Sequence, residues 1–345
     1  KKYGPERDFA IATGSPVSGL LNSGIQLYWL KYTKPEIFKR IKYSLHLPQY
    51  ISFVFTGIPV CEYTSIGCHT ALWDYTKKDY HHWVYNEGIN KILPRIVSTE
   101  TSINMNYNGK RIKIGVGIHD SSAALLPYIR SVRKKFILVS TGTWSIAMNP
   151  FSEEVLTDSD IDKKCINYMR INGKAVKASS LFLGNEYKEQ VKRLSEHFKV
   201  SNEYHKTIRF NHDIYLEIVR DFEYMYRWVS FSDERMPEST RIPYDQFEHA
   251  YHQLMVELVL LQVESIKMVN GKDNIEKLYI DGGFSDNDVY IQLISHYLRN
   301  MKLSTTDSSL GSALGAALCI SDVRLNSKFL KKNYALKKHV PFIIQ

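Results

Sequence analysis

At 345 residues the chain exceeds the size at which a single hydrophobic core stops growing, so two domains are expected. With 44% hydrophobic and 23% charged residues, its composition excludes a disordered or fibrous class. The net charge of +9 is scattered in short groups such as Lys39-Arg40, Arg133-Lys134-Lys135 and Lys337-Lys338. Without a basic stripe or recognition motif it does not mark a nucleic-acid binder, and it suits anionic small molecules equally well.

The four cysteines, at 61, 68, 165 and 319, form no CxxC pair and read as reduced, buried thiols of a cytoplasmic protein. The most apolar stretch, Leu254 to Val263, is interrupted by Glu257 and Gln262 and falls short of a membrane span. The first residues lack the apolar core of a signal peptide.

In chain order, Pro35 opens a predicted helix on which Ile37, Phe38, Ile41 and Leu45 share a face, and Pro48 ends it. Tyr50 to Thr56 is a second helical segment closed by Gly57. Extended structure is expected from Ile112 to Ile118, then a helix from Ser121 through Arg130, with Asp120 as its cap. A second strand, Lys135 to Ser140, runs into the turn Thr141-Gly142-Thr143-Trp144-Ser145. Residues 152–239 read as polar helical material, followed by the longest helix, Tyr244 to Val269, which Asn270-Gly271 terminates. The strand Lys277-Leu-Tyr-Ile280 breaks into Asp281-Gly282-Gly283; a helix, the short segment Lys302 to Thr305 and a last helix from near Ser309 complete the chain. Strands alternating with helices make an α/β protein.

Three strand ends carry candidate chemistry. Glycine lets backbone approach a phosphate or a flat base without an intervening Cβ, so Gly142, Gly282 and Gly283 are candidate nucleotide contacts. Thr143 offers a hydroxyl to phosphate, Phe284 extends the slot, and Asn287 reaches a polar edge from the next helix. Asp120 adds a carboxylate able to take a proton from a hydroxyl that attacks a phosphoryl group. The spaced small residues of Gly311-Ser-Ala-Leu-Gly315 suit close helix packing.

Four blocks together resemble the FGGY carbohydrate kinases. They are Asn22 to Lys31 with Lys34 to Phe38 and Phe55-Thr56-Gly57; Glu62-Tyr-Thr-Ser65 with Thr70 to Asp74; Gly117-Ile-His119-Asp120 with Ser140 to Ser145; and Asp281 to Asn287 with Gly311 to Ala317. The resemblance implies a two-domain actin-like ATPase (ribonuclease H-like) fold with the first domain incomplete. It divides the chain into a sugar-binding domain over 1–130, an ATP-binding domain over 131–325 and a tail over 326–345.

It further implies an enzyme that moves a phosphoryl group from ATP, with Mg²⁺, to a small-molecule sugar. Asp120 would be the catalytic base, Gly142 and Thr143 a phosphate turn, and Gly282, Gly283, Phe284 and Asn287 the adenosine motif, with Tyr63 on a sugar-contacting position. No protein ligand for a metal is assigned, and a homodimer is left open. The His119-Asp120 pair and the Gly-Thr-Trp-Ser turn look most like the rhamnulokinase branch, which phosphorylates the 1-hydroxyl of L-rhamnulose; His119 would help hold the sugar. Family members begin with an Asp-x-Gly-Thr strand-turn that grips the phosphates, and this sequence contains none. The expectation is therefore a fragment inactive alone, with a non-catalytic sugar- or nucleotide-binding relative as the alternative.

Overall fold

The computed structural model describes residues 2–152, 154–163, 165–229, 234–308 and 310–342. Two interleaved units pack separately: residues 1–133, 149–178 and 310–330 form the first, and residues 134–148, 179–309 and 331–345 the second.

The second unit is built on a mixed sheet with three parallel strands at its centre. Ile137–Thr141 lies parallel to Lys277–Gly282, with Leu278 opposite Ile137, and Lys277–Gly282 lies parallel to Lys302–Thr306, with Leu278 opposite Leu303. Ile137, Leu138 and Val139 are at most 1% exposed, which explains why this strand is a continuous apolar run rather than an alternating one. From Thr141 the chain turns back antiparallel into Ser145–Asn149.

The 24-residue helix Phe247–Asn270 is buried on nearly all sides and ends at Gly271, as expected. Glu257, read from the sequence as an interruption, is itself buried. Its carboxylate accepts from Met225 N (2.7 Å), Tyr226 N (3.2 Å) and Gln253 Nε2 (2.7 Å), and burial raises its pKa to about 7. It thereby satisfies the backbone of a non-helical segment that has no ladder of its own.

The expected helical filling of 152–239 is corrected. Strands Cys165–Met169 and Ala175–Leu181 form a hairpin there, and the helices are Asp158–Asp162, Leu183–Phe198 and His212–Arg220. Cys165–Met169 is buried along its whole length despite Asn167, whose backbone N–H bonds to Gly14 O, so its sequence shows no alternation to read.

In the first unit the helix expected from Pro35 to Leu45 lasts one turn, Pro35–Phe38. Beyond it Ser44 N donates to Ile92 O instead of continuing a helical ladder. Pro48 does not end a helix but sits in the first turn of Leu47–Thr56, where its missing N–H costs nothing. Gly57 closes that helix in the left-handed region, φ +67°. The helix turns Leu47, Tyr50, Ile51, Val54 and Phe55 outward.

The strand expected over 112–118 is Lys110–Gly115, paired with Ser102–Tyr107 as far as Ser102 opposite Gly115. Gly117 then takes φ +93°, with its Cβ position only 2.6 Å from the Pro48 backbone, so the chain leaves the hairpin there and enters the helix Asp120–Ser131. The helix expected from near Ser309 is Gly311–Cys319, with Ser309 itself outside the described residues; it does not complete the chain, because a short helix, Phe329–Asn333, and a strand, Lys337–Lys338, antiparallel to Lys302–Thr306, follow.

Gly311–Cys319 packs closely on Asp120–Ser131. A Cβ on Gly315 would lie 1.8 Å from Ala123 O, so the two backbones touch. Gly315→Ala is expected to force them apart and cost about 1–3 kcal/mol or more, read as a fall in thermal midpoint. Ser312→Ala, on the exposed face of the same helix, should leave the midpoint within a degree or so.

Candidate active site

Two sites emerge, one in each unit. In the second, Thr141 organises both glycine turns. Its carbonyl accepts from Gly283 N (2.8 Å), and its hydroxyl donates to Asp281 O (2.7 Å) while accepting from Phe284 N (3.0 Å). Gly282 takes φ +91° with its Cβ position 2.0 Å from Thr141 O, so glycine is required twice over.

Gly142 N donates to Trp144 O (2.8 Å), which leaves Gly142 and Thr143 exposed at the turn. Gly184, at the start of Leu183–Phe198, lets that helix meet the turn: its Cβ position is 1.8 Å from Gly142 O, and Asn185 N donates to Thr143 O (3.1 Å). Gly282 and Gly283 are exposed beside this turn, whereas Phe284 is buried against Tyr187 and Tyr290 and offers only its backbone. Asn287 caps the next helix through Tyr290 N (3.0 Å) and donates to Tyr251 Oη (2.8 Å).

In the first unit the buried Glu62 is the hub. Its carboxylate accepts from Thr64 N (2.7 Å), Ser65 N (2.6 Å), Thr64 Oγ1 (2.9 Å), Thr99 Oγ1 (2.8 Å) and Gln49 Nε2 (3.4 Å). Thr64 Oγ1 in turn accepts from His119 N (2.9 Å), which fixes the chain one residue before Asp120. The cap position of Asp120–Ser131 falls on His119, and Asp120 is the first helical residue. The expected cap role of Asp120 is thus shifted by one: its Oδ1 accepts from Ser121 N (2.5 Å), and the side chain is 79% exposed.

Around it lie His119 Nε2, 3.2 Å from Asp120 Oδ1 and 2.9 Å from Cys68 Sγ, and the rings of His69 and Tyr168. His69 (φ +38°) and Ala71 (φ +63°) both occupy the left-handed region, a local strain of about 1–3 kcal/mol each. Burial holds His119 and His46 down to about 4 and lowers His69, so these imidazoles are neutral at neutral pH. Burial also pushes the Cys68 thiol well up, with Asp120 and Glu62 adding to the effect.

Comparison with known proteins settles the family. The profile of the carbohydrate kinase FGGY, C-terminal domain, matches residues 133–328. The chain belongs to the FGGY carbohydrate kinases. Among solved structures, a carbohydrate kinase from Novosphingobium aromaticivorans is 21% identical (TM-score 0.74), covering 99% of this chain and 75% of that one. A xylulose kinase from Lactobacillus acidophilus is 14% identical (TM-score 0.74) over 98% and 71%. Plasmodium falciparum glycerol kinase with ADP is 18% identical (TM-score 0.67) over 92% and 66%. At these identities the likeness is one of fold, that of the actin-like ATPases. No curated protein sequence matches the chain.

In this FGGY chain the residues singled out from sequence fall into two groups. Gly142, Thr143, Gly282, Gly283, Phe284 and Asn287 lie in the second unit, while His119 and Asp120 adjoin in the first. Tyr63 follows Glu62 in the first unit, but its ring packs edge-on to Trp73 and lines a cavity of about 460 Å³ with Glu100, Ser122, Arg130 and Arg170. Sequence reasoning missed Gly184, Thr141 as organiser, and the shell of Glu62, Cys68, His69 and His46. Glu62 stood in a quoted block, and Gly184 at a helix start was a readable signal; the histidines lie too far apart in sequence to suggest a cluster.

Two outcomes follow. Glu62→Gln swaps one acceptor for a donor facing other donors, and should cost about 1–3 kcal/mol in chemical denaturation. Separately, the unfolded chain takes protons on His119 and His46 near their ordinary 6.5, whereas the folded chain refuses them until about 4. Stability should therefore fall as pH drops through that window, and His46→Gln should flatten the slope in denaturant titrations between these limits.

Proposed function

We propose that the chain is an ATP-dependent sugar kinase whose acceptor is a ketose, in the manner of the rhamnulokinases, with Asp120 as general base. The observation that carries this reading is the exposed Asp120 carboxylate held at a helix start beside a neutral His119, in a chain of the FGGY family. Asp120 takes the proton of the acceptor hydroxyl, the freed oxygen bonds to the terminal phosphorus, and the bond from that phosphorus to ADP breaks.

Residues 1–130 would carry the sugar side, with His119 and Tyr63 as contacts, residues 131–325 the nucleotide side, and 326–345 a tail. The exposed backbone of Gly142, Gly282 and Gly283 and the exposed Thr143 suit a phosphate-bearing nucleotide, because no Cβ stands in front of that backbone. Asn287 would serve by fixing the turn, since its side chain is engaged by Tyr251 and Tyr290. Mg²⁺ would neutralise the charge on the phosphates. Among the described residues no group of three or more His, Cys, Asp or Glu is assembled for a metal, so the phosphates themselves would supply much of its coordination.

No helix among the described residues is long and apolar enough to cross a membrane. A cytoplasmic location is proposed from the four cysteines, which are free thiols. The second reading is a non-catalytic sugar- or nucleotide-binding relative; the 345 residues themselves contain no Asp-x-Gly-Thr turn. On that ground we propose that the 345 residues turn over poorly alone.

The test is ADP release by the natural-length protein against a panel of ketoses, L-rhamnulose included. Asp120→Asn is expected to lower turnover by about 10²–10⁴-fold with ATP affinity nearly unchanged. An Asn variant with near-normal turnover removes Asp120 from the role of base. A wild-type protein that binds sugar or nucleotide but turns over no member of the panel supports the second reading.

A further inference from the structure

The contacts of His119 fix where its hydrogen sits. Ser122 Oγ is 2.8 Å from Met169 O, a group that can only accept, so the single hydroxyl hydrogen goes there. His119 Nδ1, 3.4 Å from the same Oγ, therefore meets lone pairs and carries the ring hydrogen itself. A neutral imidazole has only one, which leaves Nε2 as a bare acceptor. Cys68 Sγ, 2.9 Å away and buried, supplies the matching donor.

We propose that Cys68 is a positioning residue: its thiol donates to His119 Nε2, holds the ring in the neutral Nδ1–H form, and so leaves the adjacent Asp120 carboxylate without an ion pair to that ring. The inference deepens the reading of Asp120 as base and rests on it. Nε2 lies 3.2 Å from Asp120 Oδ1, the distance of an ion pair, but without a hydrogen on Nε2 nothing is donated across it. If the imidazole gained a second hydrogen it would sit on Nε2, and a charged pair with Asp120 would form, weakening the carboxylate as a base.

The surroundings keep that from happening. His69 and His46 stand near the ring as neutral groups lowered by burial, the Tyr168 ring centroid is 5.2 Å from that of His119, and the charge of Glu62 helps to keep the Cys68 thiol protonated. The raised thiol and the lowered imidazole agree with a neutral S–H to nitrogen contact rather than a thiolate–imidazolium pair.

The direct measurement is the nitrogen spectrum of the histidine-labelled protein, with His119 assigned by its loss in His119→Gln. Wild type and Cys68→Ser, which keeps a donor, are expected to show the neutral Nδ1–H tautomer across pH 5 to 8. Cys68→Ala should show protonation at Nε2 within that range. Kinetically, Cys68→Ala should move the acid limb of kcat to higher pH and lower kcat near pH 6 by roughly tenfold, well short of the 10²–10⁴ expected on loss of the base. Apparent affinity for ATP should be unchanged, and Cys68→Ser should restore the profile.

An Nε2–H tautomer in wild type overturns the proposal, and so does a Cys68→Ala protein whose His119 spectrum matches wild type. If Cys68→Ala does not fold, the wild-type and Cys68→Ser spectra still decide. A wild-type protein with the expected tautomer but no turnover on any sugar refutes the kinase reading and leaves the hydrogen assignment standing.

Discussion

A carboxylate with no access to solvent must find its hydrogen bonds inside the protein, and in the first unit Glu62 finds five. Three come from the turn that follows it, from Thr64 N, Thr64 Oγ1 and Ser65 N, so the Tyr63–Ile66 helix begins where the carboxylate demands. Others reach Thr99 and Gln49, which draws segments distant in sequence to one point. Thr64 passes the constraint to His119, and Asp120 follows as the next residue. The exposed acid is placed by a buried one, at a cost in desolvation that only near-complete pairing offsets.

The second unit solves a similar problem with backbone and a hydroxyl. Thr141 sits at the end of a largely buried strand, and its carbonyl and Oγ1 both serve the loop after the neighbouring strand. Two glycine turns are thereby held side by side, with Gly184 admitting a helix from below. A side chain at Gly184 or Gly282 would collide with backbone, which has nowhere to yield. The turn conformation is thus fixed before any ligand arrives, and fixed donors need not reorganise when charge does.

Local signals in the sequence were reliable where short-range physics decides. The buried strand Ile137–Thr141, the long helix ending at Gly271, the Gly57 cap and the strand into Gly282 all followed from pattern and glycine placement. Periodicity misled where tertiary bonds intervened: Ile41 and Leu45 kept helical spacing, yet Ser44 is held by Ile92, and Cys165–Met169 is buried on both faces and so shows no period at all. At the site, residues near a strand end were legible because the chain itself brings them there. Cys68, His69 and His46 were not, since only the fold gathers them around His119, and no spacing between positions 46 and 119 announces it.

The contact of Gly315 with Ala123 bears on how the acid of Asp120 can move. Where two helices meet through side chains, rotamers can absorb a displacement; where backbone rests on backbone there is nothing soft between them. The helix that starts at Asp120 therefore has a stop on one flank, set by atoms that are missing rather than present. Movement of the helix toward that flank is blocked, so rotation of the Asp120 side chain is the softer route by which the acid adjusts to a substrate.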